Sequence, residues 1–446
     1  MHRFAPLLAS VALLAAAPAV PQAQPSRTVL VQAGQLLDRP SQAPRGPSTL
    51  VIRDGRVVEV LRGHAGAELA KFAGAEIIDL RGRFVLPGLI DSHVHLTSDT
   101  GGVAAQLEQV QLSPAAKAYN ALVNAHKTLA AGFTTVRNLG DRDGVTLALR
   151  DAVRAGKVAG PGIVDAGASI STTAGHMDAA LGFRDDLRDA LGRDENLCDG
   201  ADACRRAVRL QVARGVDVIK IATTGGVNSR IGAGLGQQML DDEVQAIVAT
   251  AHLYGKKVAV HAHGADGVKV ALAAGVDSIE HGTVLDDECL ELFRKSGAYY
   301  VPTLSTVNGY LERLAADPNA YSPAVRAKVD WRIKVTGESL RKAVPRGVKI
   351  AFGTDAGVSK HGRNADEFEL MVKYGMTPAQ ALAAATVNAA DLLGLTAEVG
   401  TLEPGKRADL IAVDGNPLDD VTVLQRVPFV MKDGVVFKDE PASRGS

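Results

Sequence analysis

Between Phe84 and Lys373 the sequence changes period repeatedly, from short apolar runs that suit a strand to longer stretches with helical spacing. Strands are expected at Phe84–Asp91, Thr134–Asn138, Gly162–Ala166, Val218–Ile221, Val258–Val260, Ser278–Glu280, Tyr299–Thr303 and Ile350–Gly353. Helix-like segments accompany them, for example Ser113–Ala131, Asp241–Tyr254 and Asp366–Lys373. Strand–helix alternation repeated eight times over roughly 300 residues is the pattern of a (β/α)8 TIM barrel, so the expected class is α/β. The competing arrangement is an open doubly wound sheet. No GxGxxG opens the first helix, which counts against a dinucleotide-binding version of it.

The two ends of the chain carry a different pattern. "LVIRDGRVVEV" (Leu50–Val60) and "FVMKDGVVFKD" (Phe429–Asp439) each alternate apolar residues around an Asp-Gly pair, a strong hairpin signal. Ala408–Val413 adds a further strand. A small β-sandwich built from both termini, residues 27–83 and 400–440, is therefore expected to carry the catalytic barrel, residues 84–399, as an insertion. Ahead of it, Met1-His2-Arg3 is a basic start, Phe4–Ala17 is apolar, and Ala17-Pro18-Ala19 offers a cleavage site, with Ala23 as a second. This is the layout of a secretory signal peptide over residues 1–23, too short for a membrane span of ~20 apolar residues. The mature protein is expected to be soluble and secreted or periplasmic. Cys198 and Cys204 flank an Asp-Gly turn and are expected to form a local disulfide in an oxidising compartment, with Cys289 left as a buried thiol. A net charge of −1 and a pI near 6.8 give no electrostatic reason to expect nucleic acid or an anionic membrane as partner.

In a (β/α)8 barrel the chemistry sits at the C-terminal ends of the strands. The first strand ends in "GLIDSHVHL", where His93 and His95, one residue apart, point the same way. The fourth carries Lys220 between two isoleucines, the fifth gives His261 and His263, the sixth His281 and the eighth Asp355. A single histidine or aspartate at a strand end is more often structural than functional. Four imidazoles, a lysine and a carboxylate on one rim, with no cysteine among them, are instead a ligand set suited to zinc. They are too many for one four-coordinate ion and sufficient for two. Lysine is almost never buried without a partner or a task. Desolvation makes the neutral amine of Lys220 accessible, and a neutral amine can add carbon dioxide to give a carbamate that bridges two metals. Asp355 is the candidate general base and acid. His263, His176 in "STTAGHMD" and Arg230 in "GGVNSR" are candidates for holding a substrate carboxylate, and His361 is a weaker one.

"GLIDSHVHL", the fourth-strand lysine, the fifth- and sixth-strand histidines, "GTDAG" and "PGKRADLIAVDGNP" together resemble the amidohydrolase superfamily over nearly all of the mature chain. The resemblance is strongest to secreted, prolidase-like, imidazolonepropionase-related members, which include carboxypeptidase-like hydrolases of ochratoxin A. It implies two Zn2+ per chain, with His93, His95 and Asp355 on one, His261 and His281 on the other, and carboxylated Lys220 bridging both. It also implies hydrolysis of short dipeptides or N-acyl amino acids with a free C-terminal carboxylate, and a homo-oligomer. Imidazolonepropionase itself and the deaminases of the superfamily use one metal, and their fifth strand continues His-x-x-Glu; here Ala262, His263 and Gly264 follow His261. A Schiff-base aldolase at Lys220 would leave the four histidines unexplained, and a binding protein without turnover would leave Asp355 unexplained.

Overall fold

Fourteen strands organise the computed structural model, which describes residues 27–187, 191, 194–230 and 234–441; the expected signal peptide lies outside the described residues. First come β1 (Thr28–Leu36), β2 (Ser48–Arg53), β3 (Arg56–Arg62) and β4 (Glu76–Pro87). Seven short strands follow: β5 (Leu89–Val94), β6 (Phe133–Asn138), β7 (Gly162–Asp165), β8 (Val218–Ala222), β9 (Lys257–Ala262), β10 (Ser278–His281) and β11 (Tyr299–Val301). The chain ends with β12 (Leu410–Val413), β13 (Phe429–Lys432) and β14 (Val435–Asp439).

Both Asp-Gly pairs make the expected hairpins. Asp54 and Gly55 have φ of 50° and 79°, and Asp433 and Gly434 have 50° and 74°. Two successive positive φ angles match the twist of the strands they join. The terminal strands form one seven-stranded sheet in the order β14-β13-β12-β4-β1-β2-β3, which replaces the two-sheet sandwich expected from the sequence. The reason is β4. Its 12 residues pair parallel with β1 and then, over Phe84–Pro87, antiparallel with β12, so a single strand holds both halves together. The sheet curls until its hairpin tips meet. A Cβ on Gly434 would lie 2.7 Å from the Gly55 Cα, and Ala408 N donates to Gly55 O at 2.8 Å. Val31, Leu50, Leu410 and Phe429 fill the enclosed space.

The strand expected over Phe84–Asp91 is thus two strands. Gly88 separates them, where a side chain would strike Thr134 Oγ1 at 2.2 Å. From Leu89 to Val301 the strands are parallel, in a three-stranded sheet β5-β6-β7 and a four-stranded sheet β11-β10-β9-β8. Helices such as Pro114–Ala130, Asp241–Leu253 and Asp287–Ser296 pack apolar faces against them, with Leu129, Ile247 and Phe293 in the same core cluster as Phe133, Ile219 and Val260. Hydrogen bonds join the two parallel sheets at both margins. On one side Ile170 N donates to Lys220 O at 2.8 Å and Ala222 N to Ile170 O at 3.2 Å. On the other, residues 349–356 lie between β11 and β5: Tyr300 N donates to Lys349 O, Ser92 N to Phe352 O and Asp355 N to His93 O, at 2.7–2.9 Å.

That last segment was expected as an eighth strand over Ile350–Gly353. It makes isolated bridges rather than a ladder, because other groups claim its backbone. Phe352 N donates to Ala384 O, and Thr354 N and Oγ1 both donate to the buried Asp91 carboxylate. Cys198 and Cys204 form the expected disulfide, and Cys289 is buried and free. Cys198 N donates to Ser171 O, which fastens the loop that follows β7. Among the described residues no helix is long and apolar enough to cross a membrane.

Gly353 sits where the closing segment is most crowded; a Cβ there would lie 2.4 Å from Val301 Cγ1 and 3.1 Å from His93 Cβ. Gly353→Ala is expected to lower stability by about 1–3 kcal/mol, through overpacking between rigid elements. Urea unfolding of wild type and variant checks this, and an unchanged midpoint would contradict it.

Candidate metal centre

Alternation along β5 places His93 and His95 on one face. Their Nε2 atoms lie 3.5 Å and 3.2 Å from Asp355 Oδ1, and a donor atom from each of the three residues fits within a 4.8 Å span. The ring of His281, at the end of β10, is 5.0 Å from that of His93 and 4.6 Å from that of His261 on β9. Lys220, in the middle of β8, lines the same cavity of about 180 Å3. The structure therefore brings His93, His95, Lys220, His261, His281 and Asp355 together, at the C-terminal ends of parallel strands. His281, Thr303 and Asp355 have φ of 71°, 48° and 56°. Left-handed backbone at non-glycine residues costs energy and collects at functional sites, where it re-aims side chains.

Fixed partners orient the imidazoles. His93 Nδ1 is 2.9 Å from Glu280 Oε2, so it donates to that carboxylate and leaves the Nε2 lone pair facing the cavity. Nδ1 of His281 pairs with Thr303 Oγ1 at 2.8 Å, that of His263 with Thr283 Oγ1 at 2.7 Å, and that of His176 with Ser229 Oγ at 2.7 Å.

The charges are arranged for a cation. Burial lowers the His93 imidazole to about 4, with the Lys220 charge as a further cause, so the ring is neutral at physiological pH. Burial would raise Asp355, but His93, His95 and Lys220 outweigh it and hold the carboxyl at about 2. Lys220 Nζ is buried and, among the described residues, has no hydrogen-bond partner. Burial brings its ammonium down to about 8 against the pull of Glu280 and Asp355. The neutral His93 imidazole with its free Nε2 lone pair, an ionised carboxylate and an orphaned amine fit a centre of borderline metal ions, whose ligands must be deprotonated.

Glu280 was not singled out from the sequence. It is fully buried and accepts from Arg137 Nη2 at 2.8 Å and Ser278 Oγ at 2.5 Å as well as from His93. Arg137 in turn donates its Nε to Ser92 O at 2.6 Å, tying β6, β5 and β10 together beneath the site. The available signal was a charged residue inside each of two apolar strands, "TTVRN" and "SIEH".

The candidate substrate residues separate. His263 lines the cavity, its ring 5.0 Å from His281 and nearly parallel to it. His176 also lines it, with its ring 4.1 Å from His261. Arg230 lies further out, in an adjoining chamber of about 340 Å3, its guanidinium 3.5 Å above the Phe183 ring. His361 serves structure: its Nδ1 pairs with Thr128 Oγ1 and its Nε2 with the His95 carbonyl. The sequence reading missed Arg332, buried at 3% exposure on the helix Pro323–Val335 and lining the inner cavity.

Imidazoles and a carboxylate gathered around a buried amine near the ends of parallel strands form a candidate metal site. Residues 84–437 match the amidohydrolase family. The ochratoxinase of Aspergillus niger is 34% identical over 374 residues, covering 79% of this chain and 75% of the relative. Its crystal structure superposes with a TM-score of 0.80 at 31% identity, over 94% of this chain and 97% of that one. A Xaa-Pro dipeptidase crystallised with methionine in its active site superposes with a TM-score of 0.86 at 40% identity, over 92% of this chain and all of that one. The chain belongs to the amidohydrolase family, whose members are metal-dependent, and it is a hydrolase acting on C–N bonds.

The Glu280 network generates a test. Burial would raise this carboxyl, but Arg137 and His93 hold it at about 2, below its ordinary 4.5. A depressed carboxylate stabilises the fold above its ordinary range and loses that contribution as pH falls towards its folded value. Glu280→Gln is expected to destabilise the metal-free protein by about 3–5 kcal/mol at neutral pH, because Arg137 keeps a buried charge without its partner. The difference from wild type should shrink between about pH 4.5 and 2. Zinc affinity should fall roughly 10–100-fold as His93 loses its orienting partner. Denaturant unfolding across pH and competitive zinc titration check the three expectations.

Proposed function

We propose that the chain folds as a (β/α)8 barrel carried by the terminal β domain and is a binuclear-zinc hydrolase. Its substrates on this reading are short dipeptides or N-acyl amino acids with a free C-terminal carboxylate. The observation that carries it is Lys220 Nζ, buried and without a hydrogen-bond partner among the described residues, in a cavity lined also by six imidazoles, His93, His95, His261 and His281 among them, and by Asp355. Carboxylation would turn this amine into the shared anionic ligand of two ions. His93, His95 and Asp355 would hold one ion and His261 and His281 the other. The likeness to ochratoxinase and to a Xaa-Pro dipeptidase supports an amide with a carboxylate on its leaving side, and ochratoxin A is included as a substrate. Export through the N-terminal signal is part of the reading, and the Cys198–Cys204 disulfide supports it.

When bound, the ions supply water that ionises near neutral pH and polarisation of the amide carbonyl. The protein's own groups do the rest. Asp355 Oδ1, held low and within 3.5 Å of two imidazoles, accepts the proton of the attacking water and delivers it to the departing nitrogen. His263 and His176 face the cavity as donors to substrate oxygens, and Arg230 faces the outer chamber.

Metal analysis with a hydrolysis screen of N-acyl amino acids and Xaa-Pro dipeptides tests the proposal. About two zinc per chain is the expected content. Activity should vanish on chelation and return with zinc, with a free C-terminal amino acid as product. Asp355→Asn should cut kcat by roughly 10^2–10^4-fold while amide substrate still binds. Full activity after exhaustive metal removal would contradict the proposal.

A further inference from the structure

Arg332 is a charged group that the proposed chemistry does not use. It is 3% exposed and lines the inner cavity together with Lys220, His263 and Asp355. Its hydrogen bonds go to neutral oxygens: Nη1 donates to Thr336 Oγ1 at 3.1 Å, and Nη2 to Thr303 O at 3.2 Å and Pro302 O at 3.4 Å. Among the described residues no carboxylate pairs with it. Among the described residues each of the other buried arginines has an acid: Arg83 has Asp414, Arg137 has Glu280 and Arg150 has Asp217. A buried cation without an anion is costly, and the cost is removed when an anion enters with good geometry. Guanidinium groups recognise carboxylates by charge-assisted bonds.

The position of Arg332 restricts which anion this is. The cavity has room for a small group only, about 180 Å3, and its lining also includes Met177, Val227, Tyr310 and Val358, which are mainly apolar. The outer chamber shares His95, His176, Met177 and Asn228 with it and is where Arg230 sits. A substrate spanning both spaces would have one end in the inner cavity, which Asp355 and Arg332 line, and the other in the outer chamber.

We propose that Arg332 is the specificity-determining residue that binds the α-carboxylate of the C-terminal residue, with that residue inward and the acyl portion directed to the outer chamber. The inference rests on the amide-hydrolase reading for the identity of its ligand, and it moves carboxylate recognition from His263, His176 and Arg230 to Arg332.

Two measurements separate the failure of this inference from the failure of that reading. The first is calorimetric titration of the zinc-loaded protein with L-methionine and with L-methioninamide, which differ only in the carboxylate. Wild type is expected to favour the acid by roughly 30-fold or more, the range of a charged hydrogen bond. Arg332→Gln should bring the ratio near one, and Arg332→Lys should keep part of it. Equal binding of acid and amide by wild type overturns the assignment without any variant. An acid preference retained in folded Arg332→Gln also overturns it. The second is hydrolysis of N-acyl-L-methionine: Arg332→Gln should raise KM far more than it lowers kcat, and guanidinium added to Arg332→Ala should recover part of the lost kcat/KM. A wild type that hydrolyses no amide but still prefers the acid in calorimetry overturns the hydrolase reading and leaves the Arg332 assignment supported.

Discussion

An amine buried without a hydrogen-bond partner is the constraint on which the rest of this site depends. Lys220 Nζ has no acceptor among the described residues, although Glu280 and Asp355 are close enough to act on its charge. Glu280 is committed elsewhere, to Arg137, Ser278 and His93. Asp355 lies against His93 and His95. Burial without a pairing acceptor lowers the Lys220 ammonium to about 8, which makes the neutral amine far more accessible than that of an exposed lysine. Around it burial keeps His93 neutral, while His93, His95 and Lys220 keep Asp355 ionised against burial, the protonation states that ligands require.

Rigidity comes from beneath the site. Arg137 crosses from β6 to Ser92 of β5 and to Ser278 and Glu280 of β10, so one guanidinium fixes three strands and, through Glu280, the tautomer of His93. Asp91, two residues before His93, accepts from Thr354 N, Thr354 Oγ1 and Asn364 Nδ2, which pins the segment carrying Asp355 to β5. "GLIDSHVHL" therefore combines two functions: its aspartate closes the structure and its histidines face the cavity.

Much of this was legible in the sequence because strand periodicity is strict. Two-residue spacing sets the direction of His93 and His95, Asp-Gly marks both terminal hairpins, and short cysteine spacing marks the disulfide. What was not legible depended on contacts between distant residues. The strand begun at Phe84 reads as continuous, yet Gly88 passes it from one sheet to another because Thr134 leaves no room for a side chain there. The eighth strand has the apolar run of a ladder strand, but Asp91 and Ala384 take its hydrogen bonds. One long β4 merges the two sheets of the expected sandwich. Glu280 and Arg137 were hidden in plain strands, and Arg332 sits on a helix, away from the strand ends where chemistry was sought.

The central claim is that Lys220 is carboxylated and shared by two ions. The most direct measurement is carbon-13 NMR of zinc-loaded protein equilibrated with labelled bicarbonate, in wild type and in Lys220→Arg. A carbamate resonance in wild type, absent from the variant together with bound zinc, is the expected result. No carbamate in a fully active, two-zinc wild type would contradict the account.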